Sequence, residues 1–328
     1  LELIECYLFY SKNLFNSPAS IREKLNFFRE ISEKGFHNLS EKEIEEIKAS
    51  FIKFVNINMT FWADTYPTKL FRVTNNKHLY QGAKVKLQLI DDLLGPPLNK
   101  SYYGRCNLPN ESVFYSALDF KTAIWETKPN VGDLITVSEW EIKKGEKLNT
   151  HNIFNPNINN LSKESIDAYN AWINSKNTID PNLGEIFEDV MLFFTEEFMK
   201  IVIYTERENY LFSSILSSRF LQAKKDKNGF KIEAIAYPSV KMQYGLTNLA
   251  ISNDLVLKKL NLNSITIYDV MEINYDENNV HSNELIKVSP LIIKTSDFDF
   301  INNKINYDEE AEFKQMIELH EKYRKNNC

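Results

Sequence analysis

Arginine is scarce in this 328-residue chain, with seven among 39 basic residues, and two of the seven sit in apolar, strand-like settings. These are Arg72 in Leu70-Phe71-Arg72-Val73 and Arg105 in Tyr102-Tyr103-Gly104-Arg105-Cys106-Asn107. A guanidinium fork binds phosphate bidentately and keeps its charge when partly buried; the alternative is an ion pair with one of the chain's many carboxylates. Next comes Val113-Phe114-Tyr115-Ser116-Ala117, which reads as a strand, and then Asp119 to Glu126, which reads as a helix. A helix beginning near Asp119 puts Ala123 and Glu126 on one face. Glu126, beside Trp125, is then either a catalytic carboxylate or an ordinary exposed helix glutamate. Farther on, Ala236-Tyr237-Pro238-Ser239 ends a strand at a proline, which leaves the Ser239 hydroxyl in a turn. Asn248, in Gly245-Leu246-Thr247-Asn248-Leu249-Ala250, brings an amide able to bridge backbone or ligand groups.

These residues need elements to hold them. Residues 1–60 read as a helical N-terminal region: an amphipathic stretch opens at Ser20, and Ser40-Glu41-Lys42-Glu43 resembles a capping box ahead of Ile44, Ile47, Phe51 and Phe54. From Phe61 the texture changes to strand-like segments over 70–74, 112–117 and 134–142, with the short helix over 120–127. Residues 150–162 are Asn-rich and loop-like, and helical patterns return over 163–175, 184–202 and 207–223. Strands follow over 230–237 and 264–274, and the tail over 308–325 reads as a charged helix. Strands and helices without regular βαβ alternation predict an α+β fold. The division is a helical region over 1–60, a main domain over 61–290 with a helical insertion at about 148–210, and an extension over 291–328.

Composition narrows the function. With 39 basic against 45 acidic residues the net charge is -6, which lacks the excess of cations a nonspecific nucleic-acid binder carries. The nine glycines form neither G-x-G-x-x-G nor G-x-x-x-x-G-K-[ST], which disfavours Rossmann and P-loop nucleotide sites. The five histidines are isolated, with no H-E-x-x-H, and no metal is expected. Three scattered cysteines, Cys6, Cys106 and Cys328, write neither a disulfide framework nor a metal knuckle, which makes a reducing cytoplasm the simpler home. No apolar run approaches the roughly 20 residues of a membrane span.

Taken in order, the segments resemble the RES family, named for its Arg, Glu and Ser. The matching elements are Phe71-Arg72-Val73; Gly104-Arg105-Cys106-Asn107; Tyr115-Ser116-Ala117 with Ala123 and Glu126; and Tyr237-Pro238-Ser239 with Asn248-Leu249-Ala250. The resemblance covers about Phe61 to Val256. It implies an ADP-ribosyltransferase-like mixed sheet and an enzyme that breaks the nicotinamide–ribose bond of its substrate NAD with water or phosphate as acceptor. It also implies a toxin paired with an Xre-like antitoxin. In that reading Glu126 stabilises the developing oxocarbenium ion, and Arg72 and Arg105 neutralise the pyrophosphate. Tyr115 packs against nicotinamide or ribose, and Ser239 and Asn248 hydrogen-bond nicotinamide or phosphate. Tyr80 is a further binding candidate that reads equally well as a packed tyrosine. Transfer of ADP-ribose to protein, and a non-catalytic binding module, are the alternatives. The region before Phe61, the insertion and the tail exceed a minimal RES domain and are candidates for partner or homo-oligomer contacts. Longer RES proteins carry HEPN-like helices, but Arg29 and His37 are too far apart for the R-x(4–6)-H ribonuclease motif, so no ribonuclease activity is expected.

Overall fold

The computed structural model describes residues 5–9, 18–55, 58–65, 69–76, 86–154, 163–178, 180–225, 229–239, 247–273, 286–288, 293–308 and 310. Its helices are α1 (Pro18–Lys34), α2 (Glu41–Phe54), α3 (Phe120–Thr127), α4 (Lys163–Lys176), α5 (Pro181–Met199), α6 (Leu211–Leu221) and α7 (Val256–Lys259). Its strands are β1 (Glu5–Phe9), β2 (Asn58–Thr65), β3 (Lys69–Asn75), β4 (Val113–Ala117), β5 (Leu134–Ile142), β6 (Leu148–Asn152), β7 (Ala234–Pro238), β8 (Thr247–Ser252) and β9 (Leu260–Ile273), followed by the short β10 (Ile286–Val288), β11 (Ile293–Thr295), β12 (Asp297–Asp299) and β13 (Lys304–Asn306). The α+β expectation holds: one mixed sheet runs β1-β2-β6-β7-β8-β4-β3-β5-β9-β10, with β11 also on β9. Its neighbours are antiparallel except β6 and β7, which are parallel.

Local chemistry explains the helix ends. Pro18 occupies the first turn of α1, where its missing N–H costs nothing, and Gly35 at φ 74° follows its end in the left-handed conformation. The expected capping box at α2 is formed: the Ser40 side chain accepts from the Glu43 N–H, and the Glu43 carboxylate accepts from the Ser40 N–H at 2.8 Å. Asp119 caps α3 by accepting from the Thr122 N–H at 3.0 Å, and Lys128 at φ 47° stops the helix one residue after Thr127.

The sheet is nearly divided. β3 pairs with β5 along its whole length, from Lys69↔Glu141 to Asn75↔Ile135, but meets β4 only at Phe71↔Ala117. The two halves fold toward each other over a shared core. Phe114, Ala234, Ala236, Leu249 and Ile251 from β4, β7 and β8 pack with Leu70, Trp140, Leu260 and Ile265 from β3, β5 and β9. The Phe114 and Trp140 rings meet edge to face, with centroids 5.4 Å apart.

Alternation along the strands sends Val113, Ile235, Tyr237 and Ala250 to the other face of β4, β7 and β8, against the helices. Phe28, Phe51, Phe193 and Phe212 of α1, α2, α5 and α6 fill that layer, and Phe51 lies 4.5 Å from Phe212 between centroids. α3 packs instead on the far side of the second half, where Ala123 and Ile124 meet Val73, Ile135 and Val137.

Three expectations are corrected. Residues 1–60 are not helical throughout: Glu5–Phe9 is a strand paired with Asn58–Thr65. A short apolar run such as Cys6-Tyr7-Leu8-Phe9 cannot be assigned by periodicity alone. The stretch over 150–162 was expected as loop, yet Leu148–Asn152 is β6, between β2 and β7, with Thr150, His151 and Asn152 buried; residues 155–162 lie outside the described residues. The region over 148–210 therefore starts inside the sheet, and its α5 builds the same core as α1 and α2. The tail helix expected over 308–325 falls outside the described residues except Asp308 and Glu310.

Candidate active site

Three elements distant in sequence bring Glu126, Ser239 and Asn248 together. The Ser239 hydroxyl donates to Glu126 Oε1 at 2.6 Å, and Asn248 Nδ2 donates to the same oxygen at 2.8 Å. Glu126 comes from the last turn of α3, Ser239 follows Pro238 at the end of β7, and Asn248 lies on β8 opposite both Tyr237 and Ala117. Ser239 and Asn248 are buried while Glu126 is exposed. The carboxylate is thus oriented from beneath and open to solvent above. The carbonyl end of α3 disfavours a negative charge there, and two charge-assisted hydrogen bonds offset it. Because both donors use Oε1, Oε2 has no partner among the described residues. Ser239 spends its proton on the carboxylate, so its role is to orient Glu126.

Arg105 stands close enough to feel the Glu126 charge. Its guanidinium lies 5.3 Å from the Tyr210 ring centroid and 5.6 Å from that of Tyr237. Nη2 donates to the Lys200 carbonyl at 3.2 Å, and Nη1 is enclosed without an acceptor. Burial opposes the charge, but Tyr210, Tyr237 and the Glu126 carboxylate outweigh it, and Arg105 titrates above the ordinary arginine value. The loop that carries it is tight because Gly104 and Asn107 pair through their backbones. A Cβ on Gly104 would lie 2.4 Å from Asn107 Oδ1 and 2.8 Å from the Tyr115 hydroxyl, so only glycine fits.

Tyr115 braces that loop. Its hydroxyl accepts from the Cys106 N–H at 2.8 Å and donates to Asn107 Oδ1 at 2.7 Å. Asn107 Nδ2 in turn donates to Ser101 Oγ and to the carbonyls of Tyr102 and Leu108. Burial drives the Tyr115 phenol well above its ordinary range and the Cys106 thiol up to about 12, which leaves Cys106 no nucleophile at neutral pH.

Arg72 occupies the seam between the half-sheets. Its Nη1 donates to the Tyr115 carbonyl at 2.9 Å, its guanidinium lies 5.3 Å from the Phe114 centroid, and its Nε is buried without a partner. Burial lowers it to about 10. No hydrogen bond among the described residues joins Arg72 to Glu126, Ser239 or Asn248. Neither Arg72 nor Arg105 has a carboxylate within salt-bridge distance among the described residues, which decides against the ion-pair reading left open by their sequence setting. Tyr80 lies outside the described residues.

Tyr210 and Lys200 were not legible as site residues. Asn107 and Tyr237 stood inside motif-like elements, but Tyr210 carried one faint signal: the spacing of Arg207 to Tyr210 repeats that of Tyr102 to Arg105. Among the described residues no group of three or more His, Cys, Asp or Glu could hold a metal ion, and no helix is long and apolar enough to cross a membrane. Neither a scan against protein-family models nor a search of curated proteins finds a match for this chain.

Proposed function

We propose that the chain is an NAD-consuming enzyme on an ADP-ribosyltransferase-like fold, cleaving the nicotinamide–ribose bond with water or phosphate as acceptor. The observation that carries this reading is the carboxylate of the exposed Glu126, whose Oε1 Ser239 and Asn248 fix. Two half-buried arginines without a salt bridge among the described residues support it, because each has an enclosed guanidinium nitrogen without an acceptor, and an anionic ligand would supply one. A dinucleotide brings such an anion in its pyrophosphate. The motif resemblance to RES proteins supplies the identity of the substrate.

The chemistry asks little else of the chain. When the bond between ribose C1′ and the nicotinamide nitrogen breaks, its electron pair returns to the ring and nicotinamide leaves neutral, so no general acid is needed. The ribose becomes oxocarbenium-like, and a fixed carboxylate beside it stabilises the positive charge. Water oxygen then bonds to C1′ and releases its proton, giving ADP-ribose; phosphate gives phosphorylated ADP-ribose instead. One carboxylate suffices where glycosidases ordinarily use two. An enzyme that drains NAD needs restraint, and a partner of antitoxin type is part of the proposal.

The test is NAD consumption by the purified wild type and by Glu126→Gln, with products separated at varied free phosphate. Loss of a catalytic carboxylate is expected to slow turnover by about 100- to 10,000-fold, with melting temperature preserved because Glu126 is exposed. Undiminished NAD loss in the variant would overturn the assignment. Phosphate dependence names the acceptor, and a mass increase of one ADP-ribosyl unit on protein would redirect the reading to protein modification.

A further inference from the structure

Resting on the reading that Arg105 meets an anionic ligand group, we infer that Tyr210 is a positioning residue for Arg105, and that the segment from Lys200 to Tyr210 completes the site. This segment joins α5 to α6 and belongs to none of the motif-like elements. It reaches Arg105 twice: the Lys200 carbonyl takes Nη2 at 3.2 Å, and the Tyr210 ring covers one face of the guanidinium at 5.3 Å while Tyr237 of β7 lies at 5.6 Å. With Nη2 held and two rings against the fork, Nη1 remains as an enclosed donor without a protein acceptor.

The contact is reciprocated. Arg207 stacks on the Tyr102 ring at 5.7 Å, so each segment lends the other one arginine and one tyrosine three residues apart. Tyr102 is 65% exposed, so this outer pair lies at the surface while the Arg105–Tyr210 pair is half-buried. The segment is anchored beyond its ends as well. Lys200 Nζ donates to the Ser32 carbonyl at 2.9 Å and to the Ser32 hydroxyl, which also bonds Glu197, and Asn209 Oδ1 accepts from the Phe36 N–H at 3.1 Å. The orientation of Arg105 is thereby tied to α1 and to the turn after it.

A positioning role separates from a structural one in the kinetics. Tyr210→Phe keeps the ring and should leave the KM for NAD within about two-fold of wild type, whereas Tyr210→Leu removes the cation–π contact and should raise KM by about 5- to 30-fold with kcat largely kept. If Tyr210 only stabilised the fold, Leu would lower the melting temperature and the active fraction but leave KM unchanged, and that result overturns the inference. Inorganic pyrophosphate, titrated by calorimetry, gives a readout without turnover, and its affinity should fall in Leu and not in Phe. Should wild type neither consume NAD nor bind pyrophosphate, the proposed function fails and a third measurement decides the positioning. Phenylglyoxal labelling of Arg105, followed by peptide mass spectrometry, should then be faster in Tyr210→Leu than in Tyr210→Phe; equal rates overturn the inference.

Discussion

Four arginines of this chain divide into two settings that teach different things. Arg22 and Arg29, on α1, reach across to α5 and pair with carboxylates: Arg22 with Glu185 at 3.0 Å and Asp189 at 2.8 Å, and Arg29 with Glu196 at 3.0 Å. Arg72 and Arg105, in the sheet and its adjoining loop, meet only backbone carbonyls and aromatic rings. The first pair is solvated and screened, so its charges are compensated whether or not the contacts persist. The second pair is half-buried with no carboxylate at salt-bridge distance among the described residues; burial disfavours the Arg72 charge, whereas at Arg105 burial is outweighed by Tyr210, Tyr237 and Glu126. The chain places its carboxylate-paired guanidiniums between helices, and its two without salt bridges in the loop that feels the Glu126 charge and at the seam of the sheet.

The comparison can be broken most directly by replacing the two arginines without salt bridges. Arg105→Met is expected to lower kcat/KM for NAD by about 10- to 100-fold, the worth of one or two charge-assisted hydrogen bonds. Its melting temperature should fall modestly, because burial disfavours the Arg105 charge but Tyr210, Tyr237 and Glu126 together outweigh burial. Arg72→Met should instead retain or gain stability, because burial disfavours the Arg72 charge, and the size of its KM change measures how far the seam arginine shares the anion. A sharp fall in melting temperature for both variants would place the two arginines with the structural class after all.

A smaller effect comes from the other buried base. His151 on β6 is enclosed, with Nδ1 lacking a partner and its ring 4.5 Å from Phe220, and burial lowers it to about 3 from 6.5. Since the unfolded chain takes up this proton first, stability is complete above about pH 6.5 and declines as pH falls toward 3. His151→Phe should flatten that part of a melting-temperature profile against pH, and an unchanged slope would show that other groups set it. The smallest effect is expected from Arg29→Gln, which should leave the KM for NAD unchanged and shift the melting temperature by no more than a degree or two, as surface pairs do.

What the sequence disclosed follows from how local each signal is. α3 and β5 were legible to the residue because Asp119 caps one and an apolar run of β-branched residues writes the other. β6 was harder: Leu148-Asn149-Thr150-His151-Asn152 is polar in composition yet mostly buried, because pairing with β2 and β7, far away in sequence, encloses it. The convergence of Glu126, Ser239 and Asn248 was suggested by motif order. The clasp of Tyr210 and Lys200 on Arg105 was not, because it depends on how the helical layer sits over β7, which no spacing along the chain records.

The partners that orient Glu126 lie 113 and 122 residues later in the chain. Loop-closure entropy must be met before such distant groups reward each other, and between them the whole stretch from β5 to α6 has to be laid down. On a ribosome the carboxylate therefore emerges long before the groups that aim it, and a nascent or truncated chain holds Glu126 without a site. Competence is a property of the finished fold, since Glu126 is aimed only where β7 and β8 have come together.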